Sequence, residues 1–178
     1  MYNCEIYDIV FVIFKNNDYI EKIKYIFNFC NIKKYRFIRQ IVSYDFDEDA
    51  LKKDKIIHKK GIFSNFDKID YFTNYYIWSL VSNHYNNCLI IYEDEKYIKD
   101  ETILKFLVKP HNFFWNIIIY VENFDINCYA MTSSIAKELL NKGKPMYKKL
   151  NDYLIDIISS KKIKHSYYCE NKKYEKIF

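Results

Sequence analysis

Three adjacent carboxylates, Glu93, Asp94 and Glu95, are the residues of this chain best placed by type and spacing to do chemistry. They follow directly on residues 88–92 (CLIIY), an apolar run typical of a buried strand. Adjacent carboxylates repel one another, and a divalent cation relieves that repulsion. Hard oxygen ligands suit Mn²⁺ or Mg²⁺, and such an ion can bridge to a diphosphate. The alternative is an ordinary solvated loop after a strand.

The elements around this cluster predict an α/β protein. Residues 6–14 form an apolar, β-branched run, residues 20–30 carry apolar side chains at helical spacing, and residues 35–43 alternate as a strand does. This β-α-β order is the unit of a parallel sheet. Such sheets bind ligands at the carboxyl ends of their strands, which directs attention to the residues after Phe14 and Tyr92.

Further elements alternate along the rest of the chain and predict a mainly parallel central sheet flanked by helices. Helices are expected at residues 47–60, 67–86, 100–108, 133–143 and 150–158, and strands at residues 88–92, 115–121, 128–131 and 163–168. We expect one compact domain over residues 1–169, followed by a basic tail at residues 170–178.

Composition limits the classes of function without choosing one. The 178 residues are 50% apolar and carry a formal net charge of +5, which excludes a disordered chain and suits a single domain. The abundance of Lys, Asn, Ile and Tyr matches A/T-rich codons, as in the genome of an A/T-rich virus, parasite or bacterium. Much of the positive charge is then codon drift, so no specific nucleic-acid partner is expected.

The five cysteines are widely spaced and form no metal-binding pattern, which predicts reduced, buried thiols. The sequence shows no signal peptide and no apolar run long enough to span a membrane. We therefore expect a protein of the cytoplasm, or of a host cytoplasm if the chain is viral.

An ordered series of motifs resembles glycosyltransferase family 25, the lipooligosaccharide and procollagen galactosyltransferase family. The similarity begins in the first strand and runs to residue 168. Its pieces are residues 9–13 (IVFVI), 73–78 (TNYYIW), 88–95 (CLIIYEDE), 115–120 (WNIIIY), 128–140 (CYAMTSSIAKELL) and 150–154 (LNDYL).

This resemblance implies a single domain like the GT-A fold that moves a hexose from a nucleoside diphosphate sugar to a hydroxyl of a glycan or protein acceptor. Matched position by position, it implies Mn²⁺ or Mg²⁺ as cofactor with a UDP-sugar as donor. Asp94 and Glu95 would then bind the metal, with Asp94 also catalytic. The resemblance further implies nucleotide contacts for Val12, Asn74 and Glu93, and a catalytic or acceptor contact for Asp152.

Three positions depart from the family pattern, and residues 15–18 (KNND) stand where the family has a basic segment after its first strand. Asn74 stands where the family has His, Glu95 replaces Asp, and Asn116 replaces Asp. These changes keep open an alternative, a catalytically inactive relative retained for binding or structure. A third interpretation, a nucleic-acid binder, depends on the basic run at residues 33–36 (KKYR) and on the lysine-rich tail, and it ranks last.

Overall fold

The computed structural model describes residues 7–15, 17–40, 46–92, 116–122, 125–159, 166–170 and 173–176. Seven strands and five helices lie in these ranges. The strands are β1 (Ile9–Phe14), β2 (Tyr35–Arg39), β3 (Asn87–Tyr92), β4 (Ile117–Glu122), β5 (Asp125–Thr132), β6 (Ser166–Glu170) and β7 (Lys173–Lys176). The helices are α1 (Ile20–Phe29), α2 (Glu48–Lys53), α3 (Asn65–His84), α4 (Ser133–Lys142) and α5 (Leu150–Ser159).

The strands form one sheet in the order β2-β1-β3-β5-β4-β6-β7. β1 is parallel to β2 and β3, and β4 is parallel to β6. β5 is antiparallel to both of its neighbours, and β7 is antiparallel to β6. The α/β class is therefore confirmed, but the sheet is mixed rather than mainly parallel. Five strands run in one direction, and the reversed β5 and β7 make half of the neighbouring pairs antiparallel.

The prediction that residues 88–92 form an interior strand is confirmed. β3 lies between β1 and β5, with Ile90 opposite Phe11 on one side and Tyr129 on the other. The run is apolar at every position because both faces of the sheet are covered.

Alternate residues of the central strands pack into two separate cores. On one face Phe11, Ile90 and Tyr129 pack with side chains of α3, α4 and α5. On the other face Val12 and Leu89 pack with the apolar side of α1. The period of two along each strand thus assigns each side chain to a layer.

Helix α3 begins two residues earlier than predicted, because Ser64 forms a capping box. The Ser64 Oγ accepts from the Asp67 N–H at 3.1 Å, and the Asp67 carboxylate accepts from the Ser64 N–H at 3.0 Å. The reciprocal bonds satisfy backbone donors that the helix itself leaves open.

The segment between β2 and α3 departs from the prediction of a helix over residues 47–60. The helix α2 is shorter, and the chain after it forms a small third core of Ile57, Phe63, Tyr71 and Met146. A backbone bridge between Ile57 and Met146 joins this segment to the loop before α5. These long-range contacts end the helix early.

The helix predicted at residues 100–108 lies outside the described residues. The segment 170–178, predicted as a basic tail, contains β7, which pairs with β6 and extends the sheet.

The predicted state of the thiols agrees with the described part of the chain. Cys30, Cys88 and Cys128 are buried and form no disulfide, and burial raises the pKa of the Cys88 thiol far above its usual value. Among the helices that the structure describes, none combines the length and apolar character that crossing a bilayer requires.

Gly143, at the end of α4, offers a test of this packing. A Cβ there would lie 2.7 Å from the Leu139 carbonyl oxygen and 2.8 Å from the Tyr71 hydroxyl, which donates to the Gly143 carbonyl. We expect Gly143→Ala to lower the free energy of unfolding by about 1–3 kcal/mol, the usual result of overpacking a tight site. Urea unfolding measures it, with Lys137→Ala on the exposed side of α4 as control. Equal stability of the two variants would contradict the packing.

Candidate functional site

The carboxyl ends of β1, β2, β3, β4 and β6 meet at one edge of the sheet, which we call the carboxyl edge. The pairings require this, because these five strands run in the same direction. The first turns of α3 lie at this edge too, since α3 returns along the sheet before β3 begins. The Lys15 ammonium, just after β1, lies 4.5 Å from the centre of the Phe66 ring, which places the start of α3 beside the end of β1.

A chain of buried and partly buried hydrogen bonds, which we call the polar relay, joins α3 to β3 and β5. The Trp78 Nε1–H donates to the Tyr129 hydroxyl at 2.8 Å, and that hydroxyl donates to Asn74 Oδ1 at 2.5 Å. Asn74 Nδ2 donates to the Tyr92 hydroxyl at 2.6 Å. The Tyr92 hydroxyl donates in turn to the Asp70 carboxylate. Every bond points the same way, and the relay ends on the carboxylate near the carboxyl edge.

Helical and strand periodicity together bring these five residues to one place. Asp70, Asn74 and Trp78 recur every four residues, so they share one side of α3. Tyr92 and Tyr129 lie on neighbouring strands with their side chains on the sheet face that α3 covers. The relay is thus the polar seam of an otherwise apolar contact between helix and sheet.

Asn74 is fully engaged by the protein. Its side chain is completely buried, at 0% exposure. Its oxygen accepts from Tyr129, and its nitrogen donates both to Tyr92 and to the Asp70 backbone carbonyl, the latter at 2.8 Å. We therefore expect Asn74 to influence a ligand through Tyr92 and Asp70 rather than by direct contact.

Asp70 is the described residue with the electrostatics of an acid–base group. Burial raises the pKa of its carboxyl from 3.8 to about 6, with a smaller increase from Asp67; the Tyr92 hydroxyl and the Lys15 ammonium act in the opposite direction. Burial also raises the pKa of the Tyr92 and Tyr129 hydroxyls, so both remain neutral donors. A carboxyl that titrates near neutral pH can accept or release a proton under physiological conditions.

The acidic residues Glu93, Asp94 and Glu95 lie outside the described residues. They come directly after Tyr92, which is both the last residue of β3 and a member of the polar relay. The structure therefore describes the strand that leads into the acidic cluster and its last residue, Tyr92.

The other predicted site residues have different surroundings. Val12 is completely buried between β2 and β3, and its side chain faces α1, so it offers no surface to a ligand. Asp152 is exposed in the first turn of α5, where a carboxylate also stabilises the helix dipole. The ion pair between Lys149 and Asp67, at 3.5 Å, brings the start of α5 to the start of α3.

Sequence reasoning missed Asp70, Tyr92, Tyr129 and Lys15 as members of this site. One signal was present, the four-residue spacing of Asp70, Asn74 and Trp78 on a helix. The tyrosines carried none, since the chain contains 19 of them.

Within the ranges that the structure describes, no three side chains of His, Cys, Asp or Glu gather into a metal site. The predicted cation would therefore depend on Glu93, Asp94 and Glu95 for its ligands. Oxygen donors of that kind fit Mn²⁺ and Mg²⁺.

Comparisons with known proteins add no identification. No protein-family model matches the chain, and the search of curated proteins found no significant match. The likeness to glycosyltransferases therefore rests on the motifs quoted above.

Removing one hydroxyl should expose the stability that the relay provides. Tyr129→Phe leaves Trp78 Nε1 without its acceptor and Asn74 Oδ1 without its donor, both in a buried site. We expect a loss of about 2–4 kcal/mol in the free energy of unfolding, since each unsatisfied buried group costs about 1–3 kcal/mol. Urea denaturation measures it. Tyr25→Phe, at an exposed position of α1, is the matched control and should change stability by less than about 0.5 kcal/mol.

The raised pKa of Asp70 predicts a pH-dependent effect of Asp70→Asn. Between pH 3.8 and about 6 the unfolded chain loses the Asp70 proton while the folded chain keeps it, so this residue lowers stability as pH rises. The asparagine variant lacks that loss. Its stability relative to the natural protein should therefore increase by about 1–3 kcal/mol between pH 4 and pH 7 and then stay level. Unfolding at several pH values tests this, with Asp49→Asn as the exposed control. A difference independent of pH would refute the assignment.

Proposed function

We propose that this chain is a metal-dependent glycosyltransferase that moves a hexose from a nucleoside diphosphate sugar to a hydroxyl of a glycan or protein acceptor. One observation carries the proposal. The interior strand β3 leads directly into three consecutive carboxylates, and its last residue is held by the polar relay, which ends on the Asp70 carboxyl, whose pKa is about 6. The ordered motif resemblance supports the same reading and suggests an arrangement like the GT-A fold.

In this proposal Asp94 and Glu95 hold Mn²⁺ or Mg²⁺, and Glu93 supports the cluster or contacts the nucleotide. The bound ion would supply positive charge to the diphosphate of the donor. The strand that leads into these carboxylates must be held in a fixed position, because a displacement of catalytic groups by about 1 Å already impairs catalysis. The relay provides that support by holding Tyr92 through two neighbours, Asn74 and Asp70.

Two further carboxyls have roles in the proposal. Asp152, exposed at the start of α5, is the candidate for taking the acceptor proton or contacting the sugar. Asp70 is a positioning residue, since its carboxylate accepts from Tyr92 and its pKa is set mainly by burial.

One observation favours the alternative, an inactive relative kept for binding or structure. Asn74 stands where the resembled family has His, and all its polar atoms are used within the protein. An internal role of this kind serves the fold whether or not the site turns over substrate.

Replacement of Asp94 tests the two readings. If the site works, Mn²⁺ with a UDP-sugar should raise the melting temperature of the natural protein, because a ligand that binds only the folded state stabilises it. Asp94→Asn should abolish that shift together with slow hydrolysis of the sugar nucleotide. Asp49→Asn, in α2, removes the same charge at an exposed position and should respond like the natural protein. A flat response of the natural protein to several nucleotide sugars would exclude the enzyme and leave the inactive relative.

A further inference from the structure

An open cleft lies at the opposite end of the sheet from the carboxyl edge. Its volume is about 460 Å³, within the range of small-molecule sites. We call it the basic cleft and define it by six of its lining residues: Asp8, Lys33, Lys34, Tyr35, Arg36 and Tyr85.

The cleft is distinct from the site proposed above. It lies where β1 and β2 begin, and the carboxyl edge lies where they end. A strand rises about 3.3 Å per residue, so the six residues of β1 separate the two places by roughly 17 Å. The cleft could therefore bind a ligand whether or not the chain is a transferase.

The positively charged side of the cleft is formed by the start of β2, and backbone hydrogen bonds to β1 hold it in place. Lys33 and Lys34 precede β2, and the Lys34 carbonyl accepts from the Val10 N–H at 3.0 Å. Arg36 is held in β2 opposite Phe11. The ring of Tyr85 lies 6.0 Å from that of Phe11, edge to face, and forms another part of the wall.

Asp8, the one carboxylate among the lining residues, has a structural task. Its carboxylate accepts from the Asn86 N–H at 2.7 Å, and its own N–H donates to Asn87 Oδ1 at 2.8 Å. These reciprocal bonds tie the start of β1 to the start of β3. In the described part of the chain, no ion pair engages Lys33, Lys34 or Arg36. Three positive charges against one negative leave the lining with a net charge of about +2.

Codon drift does not account for this concentration of charge. Drift toward A/T-rich codons multiplies lysine and depletes arginine. The chain has two arginines, Arg36 and Arg39, and both belong to β2. Arg36 therefore places a rare residue beside two lysines at a concave surface.

We propose that the basic cleft binds the phosphate groups of a small phosphorylated molecule. The planar guanidinium of Arg36 can donate two parallel hydrogen bonds to a phosphate, and Lys33 and Lys34 add point charges. A phosphate monoester carries about two negative charges at neutral pH and a terminal diphosphate carries more, so both suit the positive lining. The size of the cleft suits a ligand on the scale of a nucleotide.

Inorganic pyrophosphate is the first probe, used with the full chain at about 0.1 M salt. Titration followed by amide NMR should show saturable shifts at residues 8–9, 33–36 and 85. The variant Lys33→Ala/Lys34→Ala should weaken binding at least tenfold, as should Arg36→Gln. The control Lys59→Ala/Lys60→Ala removes an exposed lysine pair from another loop and should change affinity less than twofold. Circular dichroism checks that all variants fold.

Three further probes distinguish the sources of phosphate. ADP should compete with pyrophosphate and shift the same amides. Phosphatidylcholine vesicles containing phosphatidylserine, and a single-stranded oligonucleotide, should bind the natural protein no more tightly than they bind the cleft variants. Equal loss in the two lysine-pair variants would show diffuse charge and overturn the proposal. Absence of saturable shifts with pyrophosphate and ADP, or binding confined to the vesicles or the oligonucleotide, would overturn it as well. None of these outcomes changes the expected response of Asp94→Asn.

Discussion

The polar relay is the interaction on which the arrangement of this protein depends. It joins helix α3 to strands β3 and β5 through groups that are completely buried at Trp78, Asn74 and Tyr129 and partly buried at Asp70 and Tyr92, so the buried members must find their partners inside the protein. An apolar contact alone would tolerate sliding of α3 along the sheet. The relay allows one register, because Trp78, Asn74 and Asp70 meet Tyr129 and Tyr92 together or leave several polar atoms unpaired.

The mixed direction of the sheet lies where α3 crosses it. Tyr129 reaches Asn74 because β5 pairs directly with β3, and β5 runs antiparallel both to β3 and to β4, to which a two-residue connection joins it. The reversed strand also leads straight into α4, which packs along α3 and closes the core. Local chain connectivity, the hydrogen-bond seam and the apolar layer therefore agree on one topology, as minimally frustrated sequences require.

Much of the fold could be predicted from the sequence, because the spacing of apolar residues within a segment already indicates whether that segment is a helix or a strand. Runs such as β1 and β3 are buried on both faces and show it at each position, and α3 shows its spacing over five turns. Strand direction is different, since the pattern of β5 is the same when read in either sense. The burial of Asn74 was also hidden, because an amide in a helix gives no sign of its surroundings until Tyr92 and Tyr129 are placed beside it. The acidic cluster at residues 93–95 remains a sequence prediction.

The relay also connects the stability of the fold to events at the carboxyl edge. Its last acceptor is Asp70, whose ionised form is disfavoured mainly by burial. A cation arriving at this edge would favour the ionised carboxylate, as the Lys15 ammonium already does. An ionised Asp70 is a stronger hydrogen-bond acceptor for the Tyr92 hydroxyl. A Tyr92 hydroxyl that donates more strongly is also a better acceptor for Asn74, so the other hydrogen bonds of the relay become stronger as well. By linkage, if the cation binds more tightly when the relay is intact, its binding stabilises the relay, and with it the attachment of α3 to the sheet, by the same free energy. The cation site proposed for this edge would therefore become more rigid on binding its ion.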